Sequence, residues 1–94
     1  MAVRTPAFIT RLRKGLEADL ERAGIAATIT SEPVVGTKLH RITIVAAKFG
    51  KLRFSERQAF VWRIVDRLLS KEEQLFISMI LTLTPSEASG ESAA

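Results

Sequence analysis

The chain has no cysteine and a single histidine. The first absence excludes disulfides, thiolate catalysis and cysteine-held metals. The second excludes a histidine-based metal site or catalytic dyad within one chain. Long apolar runs are also missing. The longest, Leu75–Leu83, is too short to span a bilayer. The first residues lack the apolar centre of a secretory signal. Residues 1–14 contain arginine and no acid, which loosely resembles a transit peptide, but they run without a break into an amphipathic helix. A cytoplasmic, membrane-free protein is the expectation. The carboxylates are scattered, with no spacing that argues for a paired acid–base site. No base stands near Ser55 in the pattern to activate it as a nucleophile. An enzyme is therefore not expected, nor is a cofactor.

What is present is an ordinary globular composition, 47% hydrophobic and 26% charged, over 94 residues. That is enough for one small domain with one core. The net charge is +4, which suits an acidic or nucleic-acid partner. The charge is unevenly spread. Residues 1–54 hold ten Lys/Arg against four Asp/Glu, and residues 55–94 hold four against six. A basic face must come mainly from the first half.

The first helix is expected to start at Thr5, as N-cap, with Pro6 at the first helical position. Phe8, Leu12, Leu16, Leu20 and Ala23 form its apolar stripe, and Gly24 is placed to end it. Gly15 lies inside, at a cost of about 1 kcal/mol relative to Ala, and allows close packing. Ile25–Thr30 alternates and is rich in β-branched residues, so it reads as a strand. Ser31–Lys38, with Pro33 and Gly36, reads as a turn into a second strand, Leu39–Ala47. A second helix is expected from Ser55, with Gln58 completing a capping box. Val61, Ile64, Val65 and Leu68 form its buried centre, and Arg63, Asp66, Arg67 and Ser70 its solvated face. Ser70–Gln74 reads as a polar link or one helical turn. Leu75–Leu83 is the third strand, with Leu75, Ile77, Met79, Leu81 and Leu83 as its apolar face. The order is α-β-β-α-(short α)-β. The expected fold is an α+β two-layer sandwich, a three-stranded mixed sheet with two main helices on one face. Residues 1–85 form the domain, and 86–94 a small, polar, disordered tail.

Within this frame His40 opens the second strand, and Ile42–Val45 is an apolar run. Phe49 and Gly50 follow in the loop, and Arg53 and Phe54 precede the second helix. Arg57, Gln58 and Ala59 lie in that helix's first turns. Leu83-Thr84-Pro85-Ser86-Glu87 closes the domain. In order and spacing, residues 16–88 resemble the BolA-like family, whose fold is akin to the type II KH domain. In that family the strand begins Ser-His-Phe, leads through Arg-Phe-x-Gly to Arg-His-Arg, and the domain ends Leu-Thr-Pro-x-Glu. The glycine here lies one position early, and Gln58 and Ala59 replace the last two residues of Arg-His-Arg.

The resemblance implies two roles. One is iron–sulfur trafficking beside a monothiol glutaredoxin, with ligands at the start of the last strand and in the loop between the first two strands. Here the first position is Phe76, and the Ser31–Lys38 loop holds no His or Cys. Cluster irons need thiolate or imidazole, so cluster sharing is not expected. His40 would ligate only if a partner supplied the other donors; a structural role at the strand edge is favoured. The other role is nucleic-acid contact in transcriptional or stress regulation. Lys48, Lys51, Arg53 and Arg57 at the loop–helix junction would bind phosphate, aided by the free N–H groups of the second helix. Arg11, Arg13 and Lys14 would extend the track. The Gly-x-x-Gly clamp of a true KH domain is absent. Phe49 and Phe54 flank the loop and are expected to anchor it, with base stacking the alternative. A homodimer through an open sheet edge is a third expectation.

Overall fold

A computed structural model describes residues 5–90. The elements are α1 (Ala7–Arg22), β1 (Thr28–Pro33), β2 (His40–Val45), a 3-10 turn over Ala47–Lys51, α2 (Phe54–Leu68), α3 (Lys71–Gln74), β3 (Ile77–Leu83) and α4 (Pro85–Ser89). The strand order is β1-β2-β3. The β1–β2 pair is antiparallel, with Ile29 opposite Ile44 and Ser31 opposite Ile42. The β2–β3 pair is parallel, so α2 and α3 make the crossover that a parallel pair requires. This is the expected mixed α+β sandwich. Among the described residues, no helix is long and apolar enough to cross a membrane.

The centre of the expected α1 stripe holds: Leu12, Leu16 and Leu20 are fully buried, joined by Ile9, whereas Phe8 is only half-buried and Ala23, past the end of the helix, is exposed. The buried residues of α1 meet Ile42 and Ile44 of β2 and Val61, Ile64 and Val65 of α2 in one core. Thr5 does not cap α1. The helix starts one residue later, with Pro6 at the N-cap, where it donates no side-chain bond; the Pro6 carbonyl accepts from the Ile9 and Thr10 N–H groups. The other end follows the sequence. Gly24 has φ +77°, its N–H donates to the Glu21 carbonyl, and the Ile25 N–H donates to the Leu20 carbonyl. That paired bonding is a Schellman stop.

Three boundaries move. β1 lies three residues beyond the expected strand, because its pairing with β2 runs through Ser31, Glu32 and Pro33. α2 is capped at Arg53 rather than Ser55, with the Glu56 carboxylate accepting from the Arg53 N–H at 2.8 Å. Gln58, expected in a capping box, instead turns to the sheet. The tail is also shorter than expected. Pro85–Ser89 forms a helical turn in which the Thr84 hydroxyl accepts from the Glu87 N–H and the Glu87 carboxylate accepts from the Thr84 N–H. This reciprocal cap orders a segment that composition alone reads as loose. Residues 91–94 of the expected tail lie outside the described residues.

β3 departs most from expectation. Its odd-numbered residues were to face the core, but Met79 is 46% exposed, while Ile80 and Thr82 are buried. The register explains this. His40 pairs with Ile77, yet Arg41 pairs with Met79, so Ser78 is an extra residue, a bulge. Its hydroxyl donates to the His40 carbonyl at 3.2 Å. A one-residue slip exchanges the two faces of a strand. Ile77 therefore faces the core before the bulge, and Ile80 and Thr82 after it. Leu81 and Leu83 fall on the other face, beside Thr43 and Val45.

Gly15 sits where α1 meets α2. A Cβ built there would lie 2.5 Å from Leu68 Cδ1. Alanine should gain about 1 kcal/mol of helix propensity but lose a comparable amount by pushing Leu68 off its rotamer. Gly15→Ala is therefore expected to be near neutral, and Gly15→Val to destabilise by about 1–3 kcal/mol through overpacking. Urea unfolding midpoints test this. Full stabilisation by alanine would show that the helices are free to separate.

Candidate functional site

The loop–helix junction is built on Phe49. The 3-10 turn drives this ring into the core, where it is fully buried, so Phe49 anchors the loop as expected. Phe54 does not. It is 63% exposed, next to Arg53, and leaves an aromatic face in solvent. Lys48, Lys51 and Arg53 are all exposed, and none forms a side-chain ion pair among the described residues. Three of the expected phosphate-binding side chains thus share one short solvent-facing segment.

Arg57 is corrected. It is only 8% exposed, and its Nε and Nη1 are turned inward onto protein acceptors. Nη1 donates to the Thr82 carbonyl at 3.0 Å and to Glu87 Oε1 at 2.8 Å, and Nε donates to the Leu52 carbonyl at 3.2 Å. The guanidinium carbon lies 5.9 Å from the centre of the Phe49 ring, within cation–π range. Arg57 is a structural clamp and cannot also serve a phosphate. Gln58 works alongside it. Its Nε2 donates to the Ile80 carbonyl and to Thr82 Oγ1, and its Oε1 accepts from Trp62 Nε1 at 3.2 Å. Buried Thr82 is thereby satisfied. The start of α2 is less open than expected too, since the Glu56 carboxylate sits in the first turn.

The first-helix cluster does not join the loop. Gly15 of α1 faces Leu68, while Ala23 lines a cleft with Phe60, so α1 and α2 run antiparallel. The N-terminal half of α1 therefore points away from the loop. Arg11 lies roughly 16 Å from Arg22 along the helix and is bound to Glu73 at 2.7 Å. That hydrogen bond holds the Glu73 carboxyl below its ordinary value. Arg13 and Lys14 are exposed on the same half of the helix.

Different cations replace them. The C-terminal end of α1 lies against the loop, where Lys48 Nζ comes within 3.3 Å of a Cβ built on Gly24. An ammonium there is favoured by the helix dipole. Beside it, Arg22, Arg63 and Arg67 line a cleft of about 450 Å3 together with Ala23, Phe60 and Ile64. Asp19, at its edge, pairs with Arg22 at 3.1 Å and with Arg67. Arg63 has no ion-pair partner among the described residues. Sequence reasoning placed Arg63 and Arg67 on a solvated face and missed the cleft. The i, i+4 spacing of the two arginines was visible, but the antiparallel packing that sets them beside Arg22 was not.

At the opposite end, Phe76, His40, Phe8 and Pro33 line a second cleft of about 350 Å3, with Thr37 and Lys38 at its mouth. His40 packs edge-on against Phe8, with centroids 6.3 Å apart, and Phe8 also meets Phe76 at 6.1 Å. His40 thus packs against an aromatic ring at the start of the central strand. The loop between β1 and β2 and the residue before β3, separate in sequence, meet here around aromatic rings. No group of three His, Cys, Asp or Glu able to hold a metal exists among the described residues.

No family model matches the chain, and no curated protein matches it by sequence. A solved structure does. BolA1 from Arabidopsis thaliana superposes with a TM-score of 0.60 over 88% of this chain and 98% of that one, at 20% identity. The fold is BolA-like. The order of elements, the mixed three-stranded sheet and the helices on one face all belong to that likeness. In the BolA-like frame Arg57 joins the second helix to the last strand and the closing Leu-Thr-Pro-x-Glu segment, through Thr82 and Glu87.

The Arg57 hydrogen bond, with help from the Thr84 N–H, holds the Glu87 carboxyl below the ordinary glutamate value. A carboxylate lowered in the folded state adds stability that is complete above its unfolded pKa and is lost as pH falls through the folded one. Glu87→Gln should therefore be less stable than the parent near neutral pH. The gap should close as pH falls below about 4, where the parent carboxylate also becomes neutral. Urea titrations across that window check the sign. Arg57→Met should cost about 1–3 kcal/mol, since it strands the buried Thr82 carbonyl and the part-buried Leu52 carbonyl.

Proposed function

We propose that this chain is a non-enzymatic regulatory or adaptor protein of the cytoplasm that contacts nucleic acid through the loop Lys48–Phe54, in transcriptional or stress regulation. One observation carries the reading: Lys48, Lys51 and Arg53 are exposed and, among the described residues, free of ion pairs, on a loop anchored by buried Phe49. Paired surface cations are already neutralised, whereas unpaired ones retain their charge for phosphate. Exposed Phe54 adds a face on which a base can stack. The likeness to BolA1 supports the choice of fold-mates and leaves the function to the surface itself.

Binding should be sequence-tolerant and salt-dependent. Three phosphate contacts correspond to a slope of about −2 to −3 in log K against log salt. Lys51→Glu with Arg53→Glu should abolish binding at low salt while leaving the circular dichroism spectrum and unfolding midpoint unchanged. Fluorescence anisotropy with labelled oligonucleotides measures both. Absence of any binding by the parent protein at low salt would overturn the reading.

A second reading rests on the opposite end of the molecule. Leu75 is 74% exposed and its chain neighbour Phe76 39%, and Phe76 lines the aromatic cleft that holds His40. Clustered exposed apolar side chains mark protein-binding surfaces. A monothiol glutaredoxin is the partner suggested by the family resemblance, held by apolar contact without a shared cluster. Phe76→Asp should then abolish co-purification of that partner and leave oligonucleotide binding intact. A visible-range cluster spectrum in the complex would contradict this mode.

A further inference from the structure

We infer that the cleft between α1 and α2 is a binding site for one nucleotide of a single-stranded nucleic acid, with the base on Phe60 and the phosphates on Arg63, Arg22 and Lys48. The inference rests on the nucleic-acid reading of the Lys48–Phe54 loop and adds a second site and a strandedness to it.

Three features point to this occupant. The first is the make-up of the cleft. The lining combines apolar Ala23, Phe60 and Ile64 with Arg22, Arg63 and Arg67, three cations against the one carboxylate of Asp19. A nucleotide has the same division, a flat apolar heterocycle joined to an anion. At about 450 Å3 the cleft falls within the range of roughly 300–1,000 Å3 common to small-ligand sites.

The second is the state of the arginines. Asp19 pairs with Arg22 and Arg67 and neutralises part of their charge. Arg63, in the same lining, has no such partner among the described residues. The cleft thus keeps a net positive charge. Exposed and without a carboxylate partner, the Arg63 guanidinium has its planar fork of donors left for an entering phosphate.

The third is continuity. Lys48 lies against Gly24 at the end of α1, next to Ala23 of the cleft lining, and begins the exposed basic loop. A strand whose base enters the cleft can run its next phosphates onto Lys48 and Lys51. A duplex cannot use the site, since its bases are stacked and paired and only its phosphates reach the arginines. Aromatic floors with basic edges are the usual means of holding unpaired bases. An acidic peptide would satisfy the arginines but leave the Phe60 face without a planar group.

The test uses the full chain and three probes of matched length and salt: a labelled single strand, the same strand in duplex, and a mononucleotide. The single strand is expected to bind at least fivefold more tightly than the duplex or the mononucleotide. Phe60→Leu keeps an apolar side chain but removes the ring. It should weaken single-strand binding by about 5- to 100-fold, the range expected for one stacked base, and leave duplex binding unchanged. Arg63→Gln, an exposed substitution, should lower the single-strand salt slope by about 0.7. Resonances of Ala23 and Phe60 should shift on titration with the single strand. Duplex binding that equals or exceeds single-strand binding, with no effect of Phe60→Leu, would overturn the inference and leave the loop reading standing. So would a mononucleotide that binds as tightly as the strand, or a glutamate-rich peptide that displaces the strand and is itself indifferent to Phe60→Leu. Loss of all binding by all probes would remove both.

Discussion

The structure turns on a buried arginine. Arg57 projects from the first turns of α2 into the space between β3, the 3-10 turn and α4, and donates to a group on each: the Thr82 carbonyl, the Leu52 carbonyl and the Glu87 carboxylate. A buried guanidinium is costly unless its donors are met and its charge is balanced. Here the cost is offset by placing Phe49 beneath it and Glu87 beside it. Each partner is then constrained in turn. The Glu87 carboxylate also caps α4 through the Thr84 N–H. Phe49 fixes the turn that carries Lys48 and Lys51. The basic loop is exposed and still well positioned because the one arginine beside it has been withdrawn from the surface.

That withdrawal also shows where sequence reasoning stops. Arg57 falls within the apolar arc of its helix, and a helical wheel records the angle correctly. The same wheel holds no information on whether an acceptor waits inside. The acceptors come from residues 25 and 30 positions away, so the clamp appears only once β3 and α4 are in place. Gln58 is a similar case. Its spacing from Ser55 fits a capping box, a local rule, but the bonds offered by β3 prevail and Arg53 becomes the cap.

The local and periodic signals translated well. The centre of the α1 stripe, the Gly24 stop, the antiparallel β1–β2 pair and the crossover to a third strand follow from period, caps and turn residues. The β3 face did not, because a single bulged residue reverses every later side chain, and no residue type announces it. Ser78 is an ordinary strand residue whose hydroxyl happens to reach the His40 carbonyl. The result is a core that accepts Thr82 and an outer face that carries Met79, Leu81 and Leu83. Of the candidate site, Lys48, Lys51 and Arg53 were legible because they are adjacent in sequence. Arg22, Arg63 and Arg67 were not, because only the antiparallel docking of two helices makes them neighbours.

The same docking explains why the charge is distributed as it is. Arg11, at the far end of α1, meets Glu73 of α3, so its charge is spent on joining the helix to the crossover. Arg22, at the near end, shares Asp19 with Arg67, so two cations divide one carboxylate and an excess of positive charge remains beside the loop. At the far end only Arg11 meets an acid of α3, while Arg13 and Lys14 stay exposed without an ion pair among the described residues. The aromatic cleft at His40 and Phe76 lies at that end, with Lys38 in its lining. Both ends therefore keep positive charge, and they differ in what stands beside it: two arginines sharing Asp19 at the loop end, and a cluster of aromatic rings at the other.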